Sequence, residues 1–270
     1  MSKKNIFVPH IHVMIKVENL VKTFELNKQQ RKELNTSDKT VTAVSNVSFT
    51  CEPGKIHALL GANGAGKTTT MRMLSTIFKP TSGSIEIAGI DALKNPEEAR
   101  RHIGFLTGSA GLYARLTPNE IIDYYGSLYG ISKADIQIRK KRLFDMLNMH
   151  DFQNKRIGKL STGMTQKVSI CRTMIHDPQV ILFDEPTSGL DVITAAAIID
   201  LIKQCKDEGK TVIFSSHIMG EVDLLSDNIT IIHKGKMVVN STMEEFRSTM
   251  QAPNLTAEFI RVVNQQETAL

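Results

Sequence analysis

The segment that most restricts the fold runs from an apolar stretch, Ile56-His57-Ala58-Leu59-Leu60, straight into Gly61-Ala62-Asn63-Gly64-Ala65-Gly66-Lys67-Thr68. Glycines at 61, 64 and 66 let the backbone turn tightly and approach an anion. A helix predicted from about Lys67 to Phe78 aims its N-terminal N–H groups at the same place. Strand, glycine loop and helix in this order match GxxxxGK[ST], the pattern of a phosphate-binding loop. The loop and Thr69 would cradle the phosphates of a nucleotide. Lys67 would reach the outer phosphates, and the Thr68 hydroxyl would ligate Mg2+. A merely structural glycine turn is the alternative, and the flanking strand and helix argue against it.

A second strand, Val180-Ile181-Leu182-Phe183, ends in Asp184-Glu185. Ligands of open α/β sheets bind at the C-terminal edges of strands, so both acids are candidates for chemistry. Asp184 suits a Mg2+ ligand, and Glu185 suits a general base that polarises water. His217 follows a third apolar run, Val212-Ile213-Phe214. Ser161-Thr162-Gly163 reads either as a plain helix N-cap or as an anion site built from a hydroxyl and bare N–H groups.

Between these motifs, Val13–Val17 and residues 41–50 read as strands, and polar residues 27–39 read as a surface loop. Thr81-Ser82-Gly83 turns the chain into a strand from Ser84 to Ala88. Asn95-Pro96-Glu97 and Thr117-Pro118-Asn119-Glu120 carry helix-start spacing, and Ser132 to Asp135 opens another helix. Residues 95–176 read as a mostly helical insertion between two strand-rich halves. Helices follow at about 192–208, and others lie between about 242 and 263. Strand–helix alternation predicts an α/β core with a largely parallel sheet.

Taken together, Gly61–Thr68, Leu160-Ser161-Thr162-Gly163-Met164, Asp184-Glu185 and His217 resemble the ATP-binding cassette (ABC) family, over residues 13 to about 263. The resemblance implies an α/β fold, a P-loop NTPase core with a mostly parallel sheet, an antiparallel β subdomain and a helical insertion subdomain. Residues 1–12 would be an N-terminal extension to this single ATPase domain. The family's activity is ATP hydrolysis with Mg2+. Leu160–Met164 would contact the nucleotide held by a second subunit, and Ser188-Gly189-Leu190-Asp191 would join the two sites. Glu185, His217 and Lys67 would serve hydrolysis, and Phe24 and Val44 would meet the adenine. The chain departs from the pattern at Thr162, Met164 and Ala62. It also has Thr107-Gly108-Ser109 where a glutamine is usual.

The stretch Gly108–Thr117 is similar to ATP-binding subunits of two-component bacterial exporters, nearest to sodium-extrusion systems. That implies a separate integral-membrane permease as partner, docked over Leu112, Tyr113 and Leu116, and a position on the cytoplasmic face of the membrane. No apolar run reaches the ~20 residues that span a bilayer, and no signal peptide is read. Three scattered cysteines suggest reduced packing residues. The net charge of +5 leaves open a soluble ATPase acting on nucleic acid or ribosomes, although no nucleic acid partner is expected. A P-loop kinase would leave Leu160–Met164 unexplained. The run Arg139-Lys140-Lys141-Arg142 reads as a solvated helix face.

Overall fold

The computed structural model describes residues 14–33, 35–107 and 111–268. Along the chain lie β1 (Ile15–Glu25), α1 (Lys28–Glu33), β2 (Thr40–Cys51), β3 (Ile56–Leu60), α2 (Lys67–Leu74), β4 (Ser82–Ile87), β5 (Ile90–Asp91), α3 (Pro96–Arg101) and β6 (Ile103–Leu106). Then come α4 (Pro118–Leu128), α5 (Lys133–Met146), a 3-10 turn at Ile157–Lys159, α6 (Thr162–Met174), β7 (Val180–Asp184), α7 (Val192–Asp207) and β8 (Thr211–Ser216). The chain closes with α8 (Met219–Leu225), β9 (Asn228–His233), β10 (Lys236–Thr242), α9 (Met243–Thr249) and α10 (Leu255–Thr268).

These strands form one sheet in the order β5-β4-β1-β2-β10-β9-β3-β8-β7-β6. From β9 to β6 every pairing is parallel. At the other end β1, β2, β4 and β5 pair antiparallel. β10 joins the halves, antiparallel to β9 and touching β2 through the parallel pair Lys236 and Ser45. Every residue of β3, β7 and β8 is buried, as parallel strands covered on both faces must be. Side chains alternate between two apolar clusters. Leu60, Ile181 and Phe183 join the cluster with the helical lobe, while Leu59, Val180 and Leu182 join the one under α2.

The helix-start signals mostly act as predicted. Thr117 and Glu120 form a reciprocal capping box, and Ser132 and Ser161 accept from the N–H groups of Asp135 and Met164. Asn95 does not cap α3 with its side chain. Residues 27–39 are not all loop, because they contain α1. Asn27 and Gln30 cap it reciprocally, but no residue of it is buried, so it has no apolar period to signal it. α2 stops at Leu74 rather than Phe78. Thr76 turns left-handed (φ 61°), and the N–H groups of Ile77 and Phe78 return to the Arg72 carbonyl.

Two larger corrections concern the helical region. β6 lies within residues 95–176 yet pairs with β7 along its whole length, so that part of the chain belongs to the core sheet. The basic run on α5 is not a free solvated face. Arg139 donates to the Ile175 carbonyl, buried Lys140 pairs with Asp123 at 2.7 Å, Lys141 with Asp145 at 2.9 Å, and Arg142 with Glu208. The three cysteines are buried, unpaired thiols.

At the C-terminus α10 is anchored by Glu258. Arg261 bonds both of its carboxylate oxygens and holds the carboxyl down to about 2 against the opposing effect of burial, helped by the N–H groups of Gln251 and Ala252. A depressed carboxyl contributes stability above its ordinary value, 4.5, and loses it as pH falls through the folded value. The stability gap between wild type and Glu258→Gln, read by hydrogen exchange in α10, should therefore narrow as pH falls from about 4.5 toward about 2. A gap independent of pH across that window would contradict this account.

Candidate functional site

Because β3, β7 and β8 are parallel neighbours, Gly61, Glu185 and His217 all emerge at one edge of the sheet. The register sets Leu60 beside Ser216 and Asp184 beside Ser215. At the end of β3 the glycines are required by geometry. A Cβ on Gly61 would lie 2.3 Å from the Ile232 carbonyl oxygen. Gly66 has φ 111°, and a Cβ there would lie 2.6 Å from the Ala43 carbonyl oxygen. Gly66 is also the N-cap of α2 and supplies no side-chain cap, so the first-turn N–H groups point toward the loop without a side-chain partner there. Ala62, Asn63 and Gly64 face solvent, Ala65 and Lys67 are buried, and Thr68 and Thr69 are half-buried.

The charged groups converge on this loop. The Lys67 ammonium donates to the Gly61 and Ala62 carbonyls (2.7 and 3.2 Å) and lies 3.3 Å from Oε1 of Glu185. His217 Nδ1 lies 3.4 Å from the same oxygen. Buried Asp184 accepts at Oδ1 from the Thr68 hydroxyl (3.1 Å) and from the Ser215 hydroxyl (2.7 Å). Glu185 sits at φ 48°, a left-handed conformation that costs a residue other than glycine energy. Its N–H is held by the carbonyl and hydroxyl oxygens of Ser215 (3.2 and 3.0 Å). Ser215 thus sets both acids, a role that the pattern of its own strand does not reveal because it arises only from the β7–β8 register.

The Thr68 hydroxyl and Asp184 carboxylate are adjacent oxygen donors beside a phosphate loop, which is what Mg2+ accepts from a protein. Among the described residues no group of three or more His, Cys, Asp or Glu side chains could hold a metal alone. An ion here would complete its shell with phosphate oxygens and water.

Leu160–Met164 opens α6 elsewhere on the surface. Ser161 and Thr162 are exposed, while Leu160 and Met164 pack on the helical core. A Cβ on Gly163 would meet Oγ1 of Thr194 at 3.0 Å, so this turn lies against the start of α7. Asp191 caps α7 through the Thr194 N–H, Leu190 is anchored in the core, and Ser188 and Gly189 face outward. Gln166 braces the same loop by donating to the Pro186 carbonyl. Among the described residues no hydrogen bond or ion pair joins Leu160–Met164 to Gly61–Thr68 of the same chain.

Two expectations shift, those for Val44 and for the Leu112–Leu116 pair. Val44 is fully buried with Cγ2 beneath Gly66, so it supports the loop and presents no surface to a base. Phe24 is half-buried, with its ring edge against Phe78 at 5.6 Å and the Lys22 ammonium 5.0 Å from its centroid. Leu112 and Leu116 pack on the helical core, and only Tyr113 of that trio is exposed. Gly108 and Ser109, at the position of the missing glutamine, lie outside the described residues.

Comparison with known proteins agrees with this geometry. The profile of the family described as ABC transporter matches residues 44–188. The chain is 43% identical over 223 residues to the ABC transporter ATP-binding protein NatA of Bacillus subtilis, covering 82% of this chain and 91% of that protein. It is 35% identical to the bacitracin transport ATP-binding protein BcrA of Bacillus licheniformis, over 82% of this chain and 69% of that one. Among solved structures, the dimeric ATP-binding cassette MJ0796 in a post-hydrolysis state with ADP and Pi superposes with a TM-score of 0.75 at 25% identity, covering 85% of this chain and 99% of that chain.

Proposed function

The chain belongs to the ABC transporter family as an ATP-binding, ATP-hydrolysing subunit, and we propose that it drives a membrane exporter of sodium ions as one half of a paired ATPase. The observation that carries the reading is the meeting of Lys67 and His217 within 3.4 Å of one carboxylate oxygen of Glu185, beside the Thr68–Asp184 pair. The loop N–H groups and Lys67 hold the phosphates. Thr68 and Asp184 hold Mg2+, which when bound neutralises phosphate charge. Glu185 takes the proton from the attacking water, and His217 stabilises the outer phosphate. Phe24 supplies an aromatic face for adenine.

Ser161 and Gly163 of a second copy complete the site, with Ser188–Asp191 lying between the two. The exposure of Ser161 and Thr162, and their separation from the phosphate loop of their own chain, support a shared site. Turnover per chain should then rise with protein concentration and level off as pairs form. A rate per chain that is constant on dilution would remove the shared site.

Members of this family work with membrane-spanning permeases, and no helix among the described residues is long and apolar enough to cross a membrane. The permease docks on the cytoplasmic face over exposed aromatic and aliphatic side chains, among them Tyr113 and Tyr124, whose rings meet edge to face at 6.2 Å, and Ile77 and Tyr129, which line one groove. Sodium as cargo is supported by the Gly108–Thr117 resemblance and the 43% identity to NatA. The test is purification from gently solubilised membranes, followed by ATP-driven sodium movement in vesicles. A stoichiometric polytopic partner and sodium flux are expected. Recovery without a membrane protein would overturn the permease reading, and flux of another solute alone would overturn sodium.

A further inference from the structure

Glu221, on α8 four residues past His217, is buried, and neither the motifs nor the hydrolytic groups include it. Both carboxylate oxygens are engaged. Oε1 accepts from the Thr187 hydroxyl at 2.5 Å, and Oε2 accepts from the Ser216 hydroxyl at 2.9 Å. The Ser216 hydroxyl oxygen in turn accepts from the Ile218 N–H at 3.0 Å, which shapes the turn that carries His217. The Thr187 carbonyl accepts from the Leu190 N–H, and the Ser188 N–H returns to the Glu185 carbonyl. One buried carboxylate therefore spans two turns that leave neighbouring parallel strands. One turn carries Glu185 and leads to Ser188–Asp191, and the other carries His217.

We propose that Glu221 is a positioning residue that locks the His217 turn to the outward-facing loop, so that contact made by a second subunit at Ser188–Asp191 is registered at His217. The proposal rests on the paired-ATPase reading. A carboxylate fits the role because it accepts from two hydroxyls at once. An amide offers one oxygen and would set N–H against one hydroxyl, which rotates or loses its partner.

The experiment uses the full chain, with Glu221→Gln, Thr187→Val and the double variant, measuring kcat, KM for ATP, the Hill coefficient and thermal stability. Displacement of His217 by a fraction of an ångström should lower kcat roughly tenfold with KM little changed. The Hill coefficient should fall toward one. The double variant should be no slower than the slower single variant, since both break one link. Thr187→Val keeps the loop's bulk and tests the link without altering the buried charge. The proposal is overturned if kcat and cooperativity stay within twofold of wild type, or if the two losses multiply and track lost thermal stability. Wild-type turnover that does not depend on concentration would instead sink the paired-ATPase reading, so the two failures are distinguishable.

Discussion

Glu185→Gln is expected to slow phosphate release about a hundred- to ten-thousandfold, the usual worth of a general base, while ATP binding stays near the wild-type level. Glutamine keeps the shape and removes the capacity to accept a proton. The backbone position of residue 185 depends on its N–H bonds to Ser215, which the substitution does not touch. The neighbouring charges change in a favourable sense for binding. Lys67, 3.3 Å away, loses a carboxylate competitor and keeps its loop carbonyls, so its ammonium is more available to phosphate. With hydrolysis stalled and binding intact, the variant should accumulate as an ATP-dependent dimer, visible by light scattering. Phosphate release within tenfold of wild type would exclude Glu185 as the base.

Gly61→Ala should be strongly damaging, because it makes the shortest contact of any glycine-to-alanine change among the described residues. Its Cβ would lie 2.3 Å from the Ile232 carbonyl oxygen and 3.0 Å from Cβ of Ala65. Neither neighbour can swing aside. Ile232 is held in β9 by its pairing with Met237, and Ala65 is held in the loop by hydrogen bonds to Ala62 and Gly235. Overpacking of this kind costs about 1–3 kcal/mol or more. For a chain of this size each kcal/mol lowers Tm by roughly 2–4 °C. The loop must also leave the geometry that points its N–H groups at phosphate, so ATP affinity should fall by more than about tenfold, roughly 1.4 kcal/mol. Gly64→Ala is the control. Nothing lies within 4 Å of its Cβ, so only the left-handed backbone (φ 78°) is penalised, by about 1–2 kcal/mol. Equal melting and equal ATP affinity for Gly61→Ala and wild type would refute the packing argument.

Features decided within one turn or one strand are legible in the sequence alone. The Thr117–Glu120 capping box, the Ser132 and Ser161 caps and the apolar runs of β3 and β7 act over three to five residues, and each is present. The phosphate loop is legible with them through its spacing and the left-handed turn at Gly64, although Gly61 and Gly66 answer to the distant carbonyls of Ile232 and Ala43. Elements with a silent or ambiguous local signal depart from expectation. α1 has no apolar face, and β6 is four residues of sheet inside a helical stretch.

The arrangement that makes these parts a site is not local. Ser215 reaches Asp184 across 31 residues, Glu221 reaches Thr187 across 34, and Thr68 reaches Asp184 across 116. The same non-local pairing draws the basic run of α5 into contacts with Asp123, Ile175 and Glu208, and sets Leu112 and Leu116 against the helical core. The sequence by itself determined which chemical groups exist and which local shapes they take, since capping, glycine turns and apolar period are properties of neighbouring residues. Only the tertiary structure decided which groups meet, because the parallel register of β3, β7 and β8 brings three distant chain segments to one edge. Strand register is fixed by burial of whole faces and not by any single motif.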